Sequence, residues 1–372
     1  MPARLFEPFR LDDLELENRI VIAPMCQYSA RGGAATDWHL THLGQLAQSG
    51  AGLLTLEATA IAPEARISPA DLGLYDDATE RALARVLDAI REYAPIPVAI
   101  QINHAGRKAS SRVPWEGGAQ IAPDAPDGWR TEAPSPLAHG EGEVAPHALD
   151  AEGLKRVRDG FVATAKLALR LGIDGFEIHG AHGYLLHQFL SPLSNRREDQ
   201  YGGSLENRMR FPLEVFEAVR EAVPSGKPVW MRVSATDWVE EGWDLDQTVE
   251  LARALKARGS AAIHVSTGGL SPAQKIPLGP GYQVPFAERI KAETGLTTIA
   301  VGLITEPAQA EAILAEGKAD AVSLARAMLY DPRWPWHAAA ELGGRVRAPK
   351  QYWRSQPREY KDLFKDAAHG QR

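Results

Sequence analysis

Two histidines and a tyrosine near the middle of the chain have residue types and a spacing that could do chemistry. His179, His182 and Tyr184 follow an apolar, strand-like stretch that begins at Phe176. If the chain turns helically after that strand, both imidazoles lie on one face with the phenol close by. Neutral imidazoles can donate hydrogen bonds to a carbonyl or phenolate oxygen, and a phenol can deliver a proton to carbon. We interpret the three side chains as a clamp for an oxygen atom with an acid beside it.

The same histidine pair is compatible with two other interpretations. Paired histidines after a strand are often structural, and they also match two of the three protein ligands of a catalytic zinc ion. A zinc hydrolase would need a third ligand at another strand end, and the HExxH helix sequence is missing from the chain. We assign no metal ligand, and we keep a metal-dependent barrel hydrolase that uses His179 and His182 as an alternative.

Composition and charge narrow the class of protein. Of the 372 residues, 44% are hydrophobic and 24% are charged, which is ordinary for a soluble globular protein. No run of about 18 apolar residues is available to span a bilayer. The net charge of −7 argues against a nucleic-acid partner, because phosphate binding needs a basic surface. The first residues lack the basic start and apolar core of a secretory signal, so we expect a cytoplasmic protein that acts on small molecules.

Eight short apolar runs recur along the chain, and most of them are followed by a helix-like stretch. Such near-continuous apolar runs are typical of parallel strands that are buried on both faces. The runs are residues 19–23, 53–58, 97–102, 175–179, 229–233, 262–266, 298–301 and 321–324. Eight strand–helix units predict an α/β fold, a (β/α)8 TIM barrel with its active site at the C-terminal ends of the strands.

Polar or special residues lie at or just after the end of each run, as a barrel active site requires. In chain order they are Cys26, Glu57, Gln101, His179, Arg232, Ser266, Gly302 and Arg326. A doubly wound open sheet is the alternative fold, but no GxGxxG sequence opens an early helix as dinucleotide binding would require. Helix signals between the runs support the barrel. Asp150 and Ser204 can cap two helices, Gly172 can end the first of them, and Pro307 suits the first turn of another.

Three of these residues are unusual enough to interpret singly. Arg232 lies inside an apolar run, where an unpaired charge is costly, so it needs an anion. The amide of Gln101 either binds a ligand or satisfies buried backbone, and the residue alone does not decide between them. Cys26 is the only cysteine, which excludes an intrachain disulfide and a metal site built from cysteines of this chain; lone cysteines are usually small buried apolar residues.

Two segments lie outside the regular alternation of strands and helices. The connection after the third strand is too long for a barrel loop and is rich in proline and glycine, so we expect a cap or lid insertion at about residues 108–149. We expect a single barrel over residues 1–340 that includes this insertion. Residues 341–372 form a basic, aromatic tail that is either solvated or docked on a neighbouring subunit.

Four segments together resemble the old yellow enzyme family of flavin-dependent ene-reductases, and specifically the bacterial class that includes xenobiotic reductase A. These segments are residues 18–26, 101–108, 179–184 and 191–203. The resemblance implies non-covalent FMN at the barrel mouth and NADPH or NADH as reductant. It also implies ping-pong reduction of activated C=C bonds in enones, enals and maleimides, with nitro compounds as a further class.

The resemblance also assigns residues to the cofactor and to the substrate. Arg326 with the backbone near Gly302 and Ala325 would bind the FMN phosphate. Arg232 and Gln101 would bind the pyrimidine edge of the flavin. The remaining cofactor contacts would come from Ala23, Pro24, Met25, Cys26 and Ala58.

For the substrate, the resemblance implies three roles around the reacting double bond. His179 and His182 would hold the activating oxygen, Tyr184 would protonate the α-carbon, and Tyr28 would face the substrate over the flavin. The thiol of Cys26 would contact the flavin and tune its potential. It is not expected to be a covalent nucleophile.

The family resemblance further implies that the C-terminal tail takes part in assembly. Arg354 is the best match for an arginine that reaches into the active site of a neighbouring subunit, with Arg358 as a substitute. We therefore expect a homodimer or homotetramer. A dienoyl-CoA reductase type of flavin barrel and a non-catalytic flavin-binding scaffold remain as alternatives, although the first carries a cysteine cluster that this chain lacks.

Overall fold

Eight parallel strands close into a barrel in the computed structural model, which describes residues 3–368. They are β1 (Ile20–Ile22), β2 (Leu53–Ala60), β3 (Val98–Asn103), β4 (Gly175–Gly180), β5 (Val229–Ser234), β6 (Ile263–Ser266), β7 (Thr298–Ala300) and β8 (Ala321–Leu324). The strands follow one another around the barrel in chain order, and β8 pairs with β1 to close it. Each predicted run overlaps one of these strands, so the predicted TIM barrel is confirmed.

Helices flank the barrel and cover its outer face, which is why the strands are buried along their whole length. They are α1 (Asp37–Ala47), α2 (Asp77–Tyr93), α3 (Ala151–Arg170), α4 (Leu185–Leu190), α5 (Leu205–Ala222), α6 (Leu245–Ala257), α7 (Val284–Thr294), α8 (Pro307–Ala315), α9 (Arg326–Tyr330) and α10 (Trp334–Leu342). The predicted caps are present. Asp150 Oδ1 accepts from the Gly153 N–H at 2.8 Å, and Ser204 Oγ accepts from the Asn207 N–H at 3.3 Å.

A two-stranded hairpin closes the N-terminal end of the barrel. Its strands, Phe9–Leu11 and Leu14–Leu16, pair antiparallel. Leu11 and Leu16 are buried in a cluster with Trp230 and other side chains from the lower part of the barrel interior. This apolar floor leaves the opposite end, where the strands finish, as the place for polar side chains.

The long segment between β3 and α3 has little regular structure. It contains two short 3-10 turns and a two-residue parallel pair, Glu132–Ala133 with His147–Ala148. The guanidinium of Arg107 donates to the carbonyl oxygens of Ala138 and Leu270, which ties the segment to the loop after β6. Its function as a lid stays a prediction.

The tail folds back onto its own barrel. Val346 pairs with Phe364, and the Phe364 ring lies 4.8 Å from the ring of Trp336. Leu363 and Phe364 are buried, so this part of the tail belongs to the hydrophobic core. Within residues 3–368, no helix has the length and apolar character needed to cross a membrane.

Candidate active site

Three neighbouring strands carry the central side chains of the site to one rim. In the strand register, Gln101 of β3 pairs with Glu177 of β4, and His179 of β4 pairs with Arg232 of β5. Since parallel strands end at the same side of the barrel, the loop that follows β4 can bring further groups to this rim. The structure therefore assembles residues that are more than 100 positions apart.

His179, His182 and Tyr184 form a tight cluster of rings. The His179 ring lies 5.2 Å from that of His182 and 4.9 Å from that of Tyr184, and both pairs are nearly perpendicular. The helical turn expected after β4 is absent, and residues 182 and 183 adopt left-handed conformations in its place. His182 has φ +56° and Gly183 has φ +75°. This left-handed turn brings the rings together, and a Cβ at Gly183 would lie 2.2 Å from the Gly269 carbonyl oxygen.

Hydrogen bonds define the protons on the two imidazoles. His179 Nδ1 accepts from the Ala181 N–H at 3.2 Å, which leaves the proton on Nε2. His182 Nε2 lies 2.8 Å from Ser266 Oγ, so its Nδ1 is the nitrogen left for a ligand. Burial, reinforced by Arg232, holds the pKa of both histidines well below the usual value. Both imidazoles are therefore neutral near pH 7.

Tyr184 has the properties of a proton donor. Burial raises its pKa well above the usual value, so the phenol keeps its proton at neutral pH. The Lys108 ammonium lies 5.1 Å from the centre of the Tyr184 ring. The phenol can therefore donate to an atom held beside the two histidines.

Lys108 is a site residue that the sequence analysis did not single out, although it lies in the quoted segment 101–108. Its Nζ donates to the carbonyl oxygens of His182 at 2.8 Å and Gly269 at 2.9 Å, which joins the loops after β4 and β6. Burial, with Arg107 nearby, lowers the pKa of Lys108 to about 8.

The buried cation of Arg232 at the centre of the rim suits a ligand that accepts hydrogen bonds. The residue is only 7% exposed, and its Nε has no hydrogen-bond partner among the described residues. Burial lowers its pKa, although Glu177 opposes that effect, and an arginine stays charged in any case. Because an unpaired buried cation is costly, the pyrimidine edge of FMN, rich in acceptors, fits this position.

The segment after β1 lines one side of the rim. It includes Cys26, which is half-buried, and Tyr28, whose ring lies 5.8 Å from that of Trp115 in the long β3–α3 segment. The Gln27 N–H donates to Glu57 Oε2 at 3.0 Å, which anchors the segment to β2. Burial raises the pKa of Cys26 well above its usual value, so the group is a thiol and not a thiolate.

The ends of β7 and β8 carry the residues expected at a phosphate. Gly302 has φ +123°, and a Cβ there would lie 2.8 Å from Gln283 Nε2, so only glycine suits this position. Ala325 precedes α9, and Arg326 is its first residue. The exposed Arg326 side chain makes no hydrogen bond or ion pair with the described residues, so its guanidinium is available to an anion.

Two cavities differ in their relation to this rim. One of about 190 Å³ opens between Tyr28, Lys108 and His139, at the mouth of the site. Another, of about 570 Å³, is lined by the tail and by Gly52 and Pro97, which precede β2 and β3 at the opposite end of the barrel. Arg354 follows Trp353 in the tail at that end, so the structure does not bring it to the site of its own chain.

The metal-site alternative finds no support in the described part of the chain. No group of three or more His, Cys, Asp or Glu side chains there is arranged to hold a metal ion. His182 Nε2 contacts the hydroxyl of Ser266, and the charged group with the largest effect on the pKa of both histidines is the cation Arg232. A cation beside the imidazoles disfavours a second positive charge.

Comparisons with known proteins agree on one family. Residues 4–343 match the NADH:flavin oxidoreductase / NADH oxidase family. The chain is 42% identical to an NADPH dehydrogenase of Geobacillus thermodenitrificans, over 94% of this chain and 98% of that protein. It is 43% identical to an NADPH dehydrogenase of Bacillus licheniformis (95% and 98%) and 41% identical to an NADH:flavin oxidoreductase of Gibberella zeae (94% and 88%).

Solved structures show the same architecture. Morphinone reductase in complex with tetrahydroNAD aligns with a TM-score of 0.75 at 29% identity, over 99% of both chains. A 2-naphthoyl-CoA reductase aligns with a TM-score of 0.82 at 23% identity and bears on the fold alone. This chain spans about half of that larger protein, 53% of its length.

Proposed function

Because the chain belongs to the NADH:flavin oxidoreductase / NADH oxidase family, that is, the old yellow enzymes, and is an oxidoreductase that uses FMN and NAD(P)H, we propose that it reduces activated C=C bonds. The proposed substrates are enones, enals and maleimides, with nitro compounds as a further class. The observation that carries the proposal is the cluster of His179, His182 and Tyr184 at the rim that holds the unpaired Arg232.

The cofactor is proposed to lie across the rim with its phosphate at Arg326 and its pyrimidine edge at Arg232 and Gln101. The chemistry that bound FMN would supply is hydride transfer from NAD(P)H to the β-carbon of the alkene. Both arginines are available for these contacts, because neither forms an ion pair with a carboxylate among the described residues. The proposed contacts along the rest of the cofactor are Ala23, Pro24, Met25, Cys26, Ala58, Gly302 and Ala325.

The histidines and the tyrosine divide the work on the substrate. His179 Nε2–H and His182 Nδ1–H donate to the activating oxygen, which withdraws electrons from the double bond. Tyr184 then delivers its proton to the α-carbon. Because its pKa is raised, the phenol is still protonated when the reaction begins. Tyr28 is proposed to face the substrate, and the Cys26 thiol to contact the flavin without covalent chemistry.

The tail supports a further proposal about assembly. Arg354 is exposed and lies away from the site of its own chain, so a role in a substrate pocket would be in that of another copy. We propose a closed homodimer or homotetramer in which Arg354, or Arg358 in its place, completes the neighbouring pocket. We also propose that the protein belongs to the bacterial class of old yellow enzymes and that it is located in the cytoplasm.

One experiment separates this function from its rivals. The purified protein should be yellow, should release FMN into the supernatant on acid precipitation, and should be reoxidised by 2-cyclohexenone after anaerobic reduction by NADPH or NADH. Flavin that NAD(P)H reduces but no activated alkene reoxidises would contradict the ene-reductase proposal. Flavin that NAD(P)H does not reduce would favour the non-catalytic scaffold, and a colourless protein with metal-dependent hydrolysis would favour the hydrolase.

A further inference from the structure

We propose that Glu177, which lies inside the barrel next to the proposed flavin edge, orients the Gln101 amide and lowers the reduction potential of bound FMN. This inference rests on the proposed placement of FMN, and it goes beyond the family assignment because it gives a role to a carboxylate that is buried below the rim. Glu177 is a positioning residue in this proposal.

The strand register puts Glu177 below the rim. It lies on β4 two residues before His179, so both side chains point into the barrel. Its register partners are Gln101 on β3 and Trp230 on β5. Glu177 is 1% exposed and lies between the apolar floor, to which Trp230 belongs, and the rim, where Arg232 lies.

Three donors satisfy the carboxylate. Glu177 Oε1 accepts from Gln101 Nε2 at 2.7 Å, while Oε2 accepts from Trp230 Nε1 at 2.6 Å and from His264 Nδ1 at 2.7 Å. Burial alone would raise the pKa of Glu177, but His264, Arg232 and Trp230 outweigh it and lower the pKa. Burial lowers the pKa of His264, so we take this pair as an ionised carboxylate and a neutral imidazole.

The first consequence concerns the amide of Gln101. An ionised carboxylate only accepts hydrogen bonds, so the amide nitrogen of Gln101 must face Glu177. The amide oxygen is then left for the other side, where it can accept from the imide N–H of the flavin. With the amide reversed, two oxygens would face each other in the barrel interior and two donors would meet at the cofactor.

The second consequence concerns charge. Since Gln101, Trp230 and His264 satisfy Glu177, no ion pair with Arg232 forms among the described residues, and the guanidinium remains available to the flavin. Reduction adds negative charge to the flavin edge. Arg232 favours that charge and the nearby anion of Glu177 opposes it, so Glu177 keeps the potential lower than Arg232 alone would.

Two substitutions with opposite expected signs test the proposal. Glu177→Gln keeps the size of the side chain and removes its charge, so the midpoint potential of FMN should rise. We expect reduced FMN to gain at least tenfold in binding relative to oxidised FMN, which is about 30 mV for a two-electron couple. Trp230→Phe removes one donor and leaves the charge less compensated, so the potential should fall. Glu177→Asp retains the charge and should not raise the potential.

Potentials are measured by spectroscopic equilibration with reference dyes on the FMN-loaded proteins. A Glu177→Gln protein that binds FMN at the wild-type potential overturns the proposal. If that variant fails to hold FMN, the sign for Trp230→Phe decides, and an unchanged or raised potential overturns it. If the wild-type protein does not reduce enones, the proposed function is refuted. The potentials test the role of Glu177 independently of that result.

Discussion

His182 Nε2 lies 2.8 Å from Ser266 Oγ, although 84 residues separate the two along the chain. The hydroxyl of Ser266 also lies 3.3 Å from Gln283 Oε1, an amide oxygen that accepts from Thr267 Oγ1 at 2.7 Å and has a second lone pair. His182 Nε2 is the nearer of the two acceptors, and a Ser266 proton donated to it leaves the imidazole proton on Nδ1, which is the tautomer that the proposed clamp requires. A serine on β6 thus favours the tautomer in which Nδ1 of His182 donates to a substrate.

Ser266→Ala should weaken the binding of phenols and enones while FMN stays bound. One hydrogen bond is worth about 1 kcal/mol, so the expected loss is a few-fold in dissociation constant. The measurement is a titration of the charge-transfer absorbance with para-hydroxybenzaldehyde. Thr267→Val is the matched control, because it removes the neighbouring hydroxyl that does not contact His182. Equal losses in both variants would contradict the role of Ser266.

Tyr184→Phe should slow reoxidation by enones by about 10²–10⁴-fold, because the α-carbon then lacks its proton donor. Flavin reduction by NAD(P)H needs no proton from Tyr184 and should keep its rate. Stopped-flow absorbance measures the two half-reactions separately. Tyr28→Phe removes the other phenol near the mouth and should slow reoxidation far less. Equal slowing of both half-reactions in Tyr184→Phe would argue against the assignment.

Asp71 should make stability depend on pH in an unusual direction. It accepts from Ser68 Oγ at 2.6 Å and from the Ile67 N–H at 3.0 Å, and burial raises its pKa to about 7. The unfolded carboxyl has a pKa of about 3.9, so between about pH 4 and 7 the folded state holds a proton that the unfolded state has lost. The free energy of unfolding should therefore fall as the pH rises through this window and level off above it.

Asp71→Asn imitates the protonated carboxyl and should remove this contribution. Urea unfolding at several pH values from 4.5 to 8, as buffer conditions allow, measures the difference between the two proteins. The variant should gain stability relative to the wild type as the pH rises. A difference that stays constant with pH would show that Asp71 titrates normally.

Arg354→Ala should raise the Michaelis constant for alkenes while leaving FMN bound. Deleting the tail from residue 348 is a poorer test, because it also removes Leu363 and Phe364 from the core. Arg358→Ala is the paired comparison, since Arg358 is the other exposed arginine of the tail that is proposed for this role. An effect of Arg358→Ala alone would transfer the role to that residue, and unaltered kinetics in both variants would remove the tail from the site.

Local patterns in the sequence were enough for the architecture. Apolar runs such as that of β5 identify strands because strands covered on both sides need apolar residues at every position. The caps at Asp150 and Ser204 identify helix starts because a cap is a contact within three residues. The order of strands then followed from barrel closure, which also placed Gln101, His179 and Arg232 at one rim.

The detailed arrangement of the site could not be derived in that way. The left-handed turn at His182 and Gly183 depends on the close approach of Gly269, and the proton position on His182 depends on Ser266. Glu177 did have a signal, since a carboxylate inside an apolar strand needs partners as Arg232 does, but the sequence does not name those partners.

The tail shows the same division. Its composition indicated a basic, aromatic segment, and only the tertiary structure shows Phe364 packed on Trp336 with Arg354 left exposed. Secondary structure follows from contacts between neighbours along the chain, which a sequence displays directly. The site and the tail depend on contacts between distant residues, and these exist only once the barrel has closed.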